Sequence, residues 1–315
     1  MKISRNTLPK NGFTLAEILV SMTITVIILG VLVFITQSAF QTLSNGTNRT
    51  TSSQKTQQVI EILETDLQSM IFQKGNEFDW LSATGSNTDD DSDDFDNFSE
   101  SNNATGFYSR LTFFTQALDR YDGDVINPDN LGNIACVDYG IAYVDPLDTV
   151  EGEFPTFVLY RNIVNPDETF EKILGQDDLA LSVNDADTPL QDAVNVLCTN
   201  IRELSVTLHI EYEDLASNET EIAKLPIISV GGSNDFRVQE FILRGDEMEI
   251  DGDASIGDFN SIGLGRIVAI DINVQMLNDE VVPLIGLPPS DSIRRRIEEG
   301  TSRFSKTIFI PHLNG

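Results

Sequence analysis

The chain has 315 residues, with 20 Lys plus Arg against 50 Asp plus Glu, for a formal net charge of −30. Forty per cent apolar residues and 18 Phe describe a folded body and exclude a disordered acidic tail. So negative a field repels phosphate backbones and sets nucleic acid aside as a direct partner. Two His and two Cys are too few for a zinc site built from those side chains.

The opening stretch carries Lys2, Arg5 and Lys10 and no acid, and from Ile18 to Asn48 no side chain is charged. Within Ile18 to Ile35, fourteen of eighteen residues are Ile, Leu, Val, Met or Phe, interrupted by Ser21, Thr23, Thr25 and Gly30. Residues 13–39, as a helix, span roughly 40 Å at ~1.5 Å per residue, more than a hydrocarbon core of about 30 Å. The stretch therefore reads as a transmembrane helix. Basic residues before it and acidic mass after it place the N-terminus in the cytoplasm and the body outside. A cleaved secretory signal would have a shorter apolar stretch and a small-residue site, which Ser38-Ala39-Phe40 matches poorly. Glu17 is the anomaly. A carboxylate in an apolar helix costs roughly 2.5–3.5 kcal/mol and is by default functional.

Lys10-Asn11-Gly12-Phe13-Thr14-Leu15-Ala16-Glu17-Ile18-Leu19-Val20 resembles the prepilin signature of type IV pilins and type II secretion pseudopilins. The resemblance implies a basic leader, residues 1–12, removed by a prepilin peptidase that cuts between Gly12 and Phe13 and methylates the new Phe13 amine. Glu17 then stands fifth, where its carboxylate can neutralise the terminal amine of a neighbouring subunit. Asn11 departs from the pattern where a second basic residue often stands.

Beyond the membrane helix, Val59, Ile60, Leu63, Leu67, Met70 and Ile71 recur at helical spacing, with Glu61, Glu64, Asp66 and Gln68 between them. Residues 40–74 are accordingly an amphipathic continuation of the helix, with Gly46 its weakest point. Residues 75–109 hold nine acids and no base and read as an acidic loop. Residues 110–315 read as a β-rich extracytoplasmic domain. Its strands are Leu111–Thr115, an alternation from Val137 to Tyr143, Thr156–Arg161, Leu204–Tyr212, Phe236–Arg244, Ile267–Leu277 and a closing run from Phe304. In the fourth of these, His209 points to solvent with Ser205 and Thr207. A short helix from about Ser292 stops at Gly300, and its Arg294-Arg295-Arg296 is a charged face.

The fold class is α+β, a long N-terminal helix packed on a mainly antiparallel sheet. The Leu63–Leu67 stretch, Tyr139, Tyr160-Arg161 and Arg303–Thr307 look like pseudopilin J and the PilW-like minor pilins. That likeness implies a structural subunit, not an enzyme, assembled through its N-terminal helix into a type IV pilus or type II secretion pseudopilus, at or near the tip. Implied partners are the prepilin peptidase/N-methyltransferase, other pilin or pseudopilin subunits and the inner-membrane assembly platform. The implied location is a single pass of the inner membrane with a periplasmic or filament-borne body. The alternatives are an anchored surface adhesion or ligand-binding module and an exported hydrolase. No nucleophile elbow, zinc-protease motif or phosphate loop is present.

A body outside the cytoplasm oxidises thiols, so Cys136 and Cys198 are expected to form a disulfide. Calcium is the one candidate cofactor. Asp122, Asp124 and Asp129 form one Asp-x-Asp turn with glycine, and Asp251, Asp253 and Asp258 form another. In a chain with 50 acids such turns also arise by chance, and both readings stay open.

Overall fold

The computed structural model describes residues 14–87, 107–116, 134–146, 155–176, 178–184, 190, 192–213, 219–227, 238–245, 247–252, 262–288 and 290–310. The chain forms two compact units, residues 1–50 and 51–315. Helix α1 (Leu15–Gln68) runs through both. One Gly costs a helix interior only about 1 kcal/mol, so Gly46 does not interrupt it.

In the first unit, Leu15–Phe40 is apolar enough to cross a membrane and none of it is buried. Its Ser21 and its threonine hydroxyls are satisfied within the helix. Thr23, Thr25 and Thr36 donate to the carbonyls of Leu19, Ser21 and Leu32 at 2.8 Å, and Ser21 donates to Ile18 at 2.9 Å. Hydrocarbon tolerates a hydroxyl only in such a state.

The second unit packs the outer part of α1 against a sheet. Val59, Ile60, Leu63 and Leu67 are buried there, as their spacing predicts, but α1 stops at Gln68, short of the expected 40–74: Met70, also buried, bridges Thr115, and Ile71 packs on a second cluster. Asp66 joins them, three residues after Leu63 and four before Met70, although it reads as part of the polar face.

The sheet is mixed. Its strands are β1 (Asp79–Asn87), β2 (Phe107–Thr115), β3 (Ala135–Val144), β4 (Thr156–Val164), β5 (Val196–Thr199), β6 (Ile201–Glu213), β7 (Thr220–Ile227), β8 (Val238–Arg244), β9 (Met248–Gly252), β10 (Arg266–Leu277) and β11 (Thr301–Phe309). They run in the order β11-β10-β6-β7-β8-β1-β2-β3-β4-β5, with β9 on β8. Most pairings are antiparallel, but β7–β8 and β2–β6 meet in parallel. The second of these closes β6, β7, β8, β1 and β2 into a ring.

A serine holds that closure. Buried Ser109 donates to the Ile227 carbonyl and accepts from the Val206 N–H at 3.0 Å. Ser109→Ala removes both of these bonds from the closure, for an expected loss of about 1–3 kcal/mol in urea unfolding. A wild-type midpoint would show that the hydroxyl does not hold the closure.

Strand β1 corrects the acidic loop assigned to residues 75–109, since 79–87 is sheet and β2 begins at Phe107. The small residues Ser82, Ala83, Thr84, Gly85 and Ser86 hide its alternation. Strand β3 is covered on both faces. Tyr139 and Ile141 join the core against α1, while Cys136 joins a second cluster with Trp80, Phe114 and Val183. A Cβ on Gly140 would come within 2.8 Å of Leu190, so that position takes the smallest residue.

Candidate assembly site

Gly12 and Phe13 lie outside the described residues. Immediately after them, Thr14 and Glu17 form a reciprocal cap. The Glu17 carboxylate accepts from the Thr14 N–H at 2.9 Å and from its hydroxyl at 3.0 Å. In return, the Glu17 N–H donates to Thr14 Oγ1 at 3.3 Å. This is a capping box, and Thr-x-x-Glu before an apolar run is its sequence signal, which the reading of Glu17 as a membrane anomaly passed over. The cap leaves Glu17 exposed and folds its carboxylate back toward the chain terminus. Only Oε2 is engaged among the described residues.

In the body, Asp66 is the centre of a buried network. Arg161 on β4 donates through Nε to Oδ2 at 2.7 Å and through Nη2 to Oδ1 at 2.6 Å, a two-pronged pair. The Tyr139 hydroxyl on β3 donates to Oδ2 as well, and Thr115 on β2 donates to the Asp66 carbonyl at 2.9 Å. At the margin, Lys306 on β11 pairs with Glu64. The helix is therefore tied to four strands of the sheet. Asp66, Tyr139, Arg161 and Lys306 belong to the stretches whose likeness to pseudopilin J was noted in the sequence, whereas Thr115 does not, and Tyr160 packs in a separate cluster with Ala142 and Val158.

Burial, followed by the Asp66 charge, pushes the Tyr139 phenol well up. Burial alone pushes Tyr160 up to about 12. An unfolded chain loses these protons near pH 10 while the folded chain keeps them. Stability is thus complete below about pH 10 and lost as pH rises toward 12. Tyr160 contributes roughly 2–3 kcal/mol of that fall. Unfolding midpoints at pH 9 and 11 should differ in that direction, and equal midpoints would contradict the assignment.

The disulfide is corrected: Cys136 and Cys198 are both buried and free. Cys136 stands opposite Val164 and Cys198 opposite Leu159 on β4. Those partners lie roughly 16 Å apart at ~3.3 Å per residue, on opposite faces of the sheet, whereas a disulfide needs Cα atoms within about 7 Å. Burial pushes both thiols up, which makes them unreactive.

Of the calcium candidates, Asp122, Asp124, Asp129, Asp253 and Asp258 lie outside the described residues. Asp251 is exposed on β9. No grouping able to hold a metal occurs among the described residues. His209 lies on the face away from the core, as its alternation predicts, but is shielded there by Asp271 at 2.7 Å. Burial raises the Asp271 carboxyl, yet hydrogen bonds from Thr307 and His209 outweigh it and hold the group below its ordinary value.

Residues 9–33 match the family model described as the prokaryotic N-terminal methylation motif. No curated protein and no solved structure matches the chain.

Proposed function

Because the chain is a type IV prepilin-like protein, we propose that it serves as a minor pilin or pseudopilin, a structural subunit at or near a filament tip. The methylation motif at residues 9–33, in register with an apolar helix that buries nothing of its own, carries this reading. Residues 1–12 are the leader and residues 13–39 the membrane and filament-core helix. The prepilin peptidase cuts after Gly12 and methylates Phe13. The helix then passes from the inner membrane, where lipid covers it, into a bundle of like helices built on the assembly platform, with the body on the periplasmic side.

Glu17 directs that passage. Its cap on Thr14 engages Oε2 and leaves Oε1 for the Phe13 ammonium of the next subunit. A buried pair of this kind specifies register more than it adds stability, because both charges must be stripped of water. The body needs no chemistry of its own for this role.

Deletion of the gene tests the reading. Loss of piliation or of type II secretion, restored by the wild-type chain, is the expected result. The chain should also appear in the sheared-filament fraction. Intact filaments and secretion, with loss of a hydrolytic activity instead, would overturn it.

A further inference from the structure

The alternation that buries one face of β6, β10 and β11 leaves the other face two registered rows of polar side chains. Glu203 stands opposite Gln275, and Gln275 opposite Arg303. Two residues along, Ser205 stands opposite Asn273, and Asn273 opposite Ser305. These six residues line a cleft of about 370 Å³, at the small end of the range for ligand sites. The next row closes on itself: Asp271 accepts from Thr307 at 2.6 Å and lies 2.7 Å from His209 Nε2. The rows of the cleft do not. Ser205 is 7% exposed, yet its hydroxyl has no hydrogen bond among the described residues, and neither has the half-buried Asn273 amide. No side-chain polar atom is sealed away without a partner among the described residues, so the Ser205 hydroxyl opens into the cleft. Polar groups this deep are ordinarily paired, and here the partner must come from outside the chain.

Charge in the cleft is unmet as well. Arg303 is exposed and makes no hydrogen bond or ion pair among the described residues. Glu203 accepts from Gln275 Nε2 through Oε2 alone, which leaves Oε1. Burial holds this carboxyl up, against the opposing pull of Arg303 and then Arg202. Glu203 and Arg303 stand on either side of β10. At about 4.8 Å per strand their backbones lie roughly 10 Å apart. A cation and an anion thus face one cleft without closing on each other.

We propose that this cleft binds a free α-amino acid, with its carboxylate on Arg303, its ammonium on Glu203 and its side chain among Ser205, Asn273 and Ser305. A simple anion meets Glu203 and a simple cation meets Arg303, whereas a zwitterion answers both charges. Two charge-assisted hydrogen bonds of about 2.8 Å each, with the short span from ammonium to carboxylate between them, fit the gap. Hydroxyls and an amide around the rest of the cleft select a small polar side chain. The site goes beyond the role as an assembling subunit and does not depend on it.

The test is isothermal titration of the full chain in detergent with L-serine, at two temperatures so that a vanishing enthalpy at one does not hide binding. Saturable binding is expected. N-acetyl-L-serine lacks the ammonium and L-serinamide lacks the carboxylate, and each should bind about tenfold more weakly or worse. Arg303→Gln should weaken L-serine by a similar factor. Glu203→Gln should weaken L-serine while strengthening N-acetyl-L-serine, whose carboxylate it no longer repels. That exchange of preference cannot come from lost folding, and the ligand series on the wild-type chain needs no variant. Absence of saturable heat at millimolar L-serine overturns the proposal. So does equal binding of all three ligands, or an Arg303→Gln chain that binds L-serine as the wild type does. A chain that enters filaments but binds no amino acid keeps the subunit role and loses this one.

Discussion

Arg161→Met is expected to destabilise the body by about 3–5 kcal/mol, the usual cost of stripping one partner from a buried ion pair. Asp66 is 4% exposed and both of its oxygens are committed to Arg161. Without the guanidinium, the carboxylate keeps only the Tyr139 hydroxyl in a setting that no water reaches easily. Replacing both residues, as Asp66→Leu with Arg161→Met, should cost less than Arg161→Met alone, because no charge is then stranded. Urea unfolding of the detergent-solubilised chain, followed by Trp80 fluorescence, reads both values. Equal losses for the single and double changes would mean that the pair is not coupled. The pair matters because it fixes how the outer part of α1 sits on β3 and β4.

Glu17→Val is expected to leave cleavage and membrane insertion intact while removing the chain from filaments. Valine inserts into a membrane more readily than glutamate, so anchoring does not suffer. The cap on Thr14 is lost, at a cost of roughly 1 kcal/mol that the long helix absorbs. What disappears, on the proposed pairing, is the partner for the Phe13 amine of a neighbour. Fractionation into membrane and sheared filaments separates these effects. Wild-type amounts of the variant in the filament fraction would end the pairing role. Glu17→Asp, which keeps the charge one methylene shorter, should restore part of the assembly.

Much of this was written in local patterns. The alternation in β10 is plain from Ile270 to Met276, and those residues form the core face. Val268 leaves it, because a bulge between Ile267 and Ala269 shifts the register. Strand β7 was missed since Lys224 and Pro226 interrupt its pattern, and β9 since it is five residues long and acidic. The burial of Asp66 was hidden for a different reason. A carboxylate on a helix reads as solvated until the fold brings an arginine from ninety-five residues away. The disulfide failed on the same kind of long-range fact, since two strand-end cysteines share a sheet but neither a register nor a face. The capping box, in contrast, was legible in Thr14 and Glu17.

In the proposed role Phe13 becomes the first residue of the working chain, and helix α1 acts from there. Mass spectrometry of the protein extracted from membranes of cells with an active prepilin peptidase tests this directly. An N-terminal peptide beginning at N-methyl-Phe13, with residues 1–12 gone, is the predicted result. An intact Met1 terminus in those cells would contradict it.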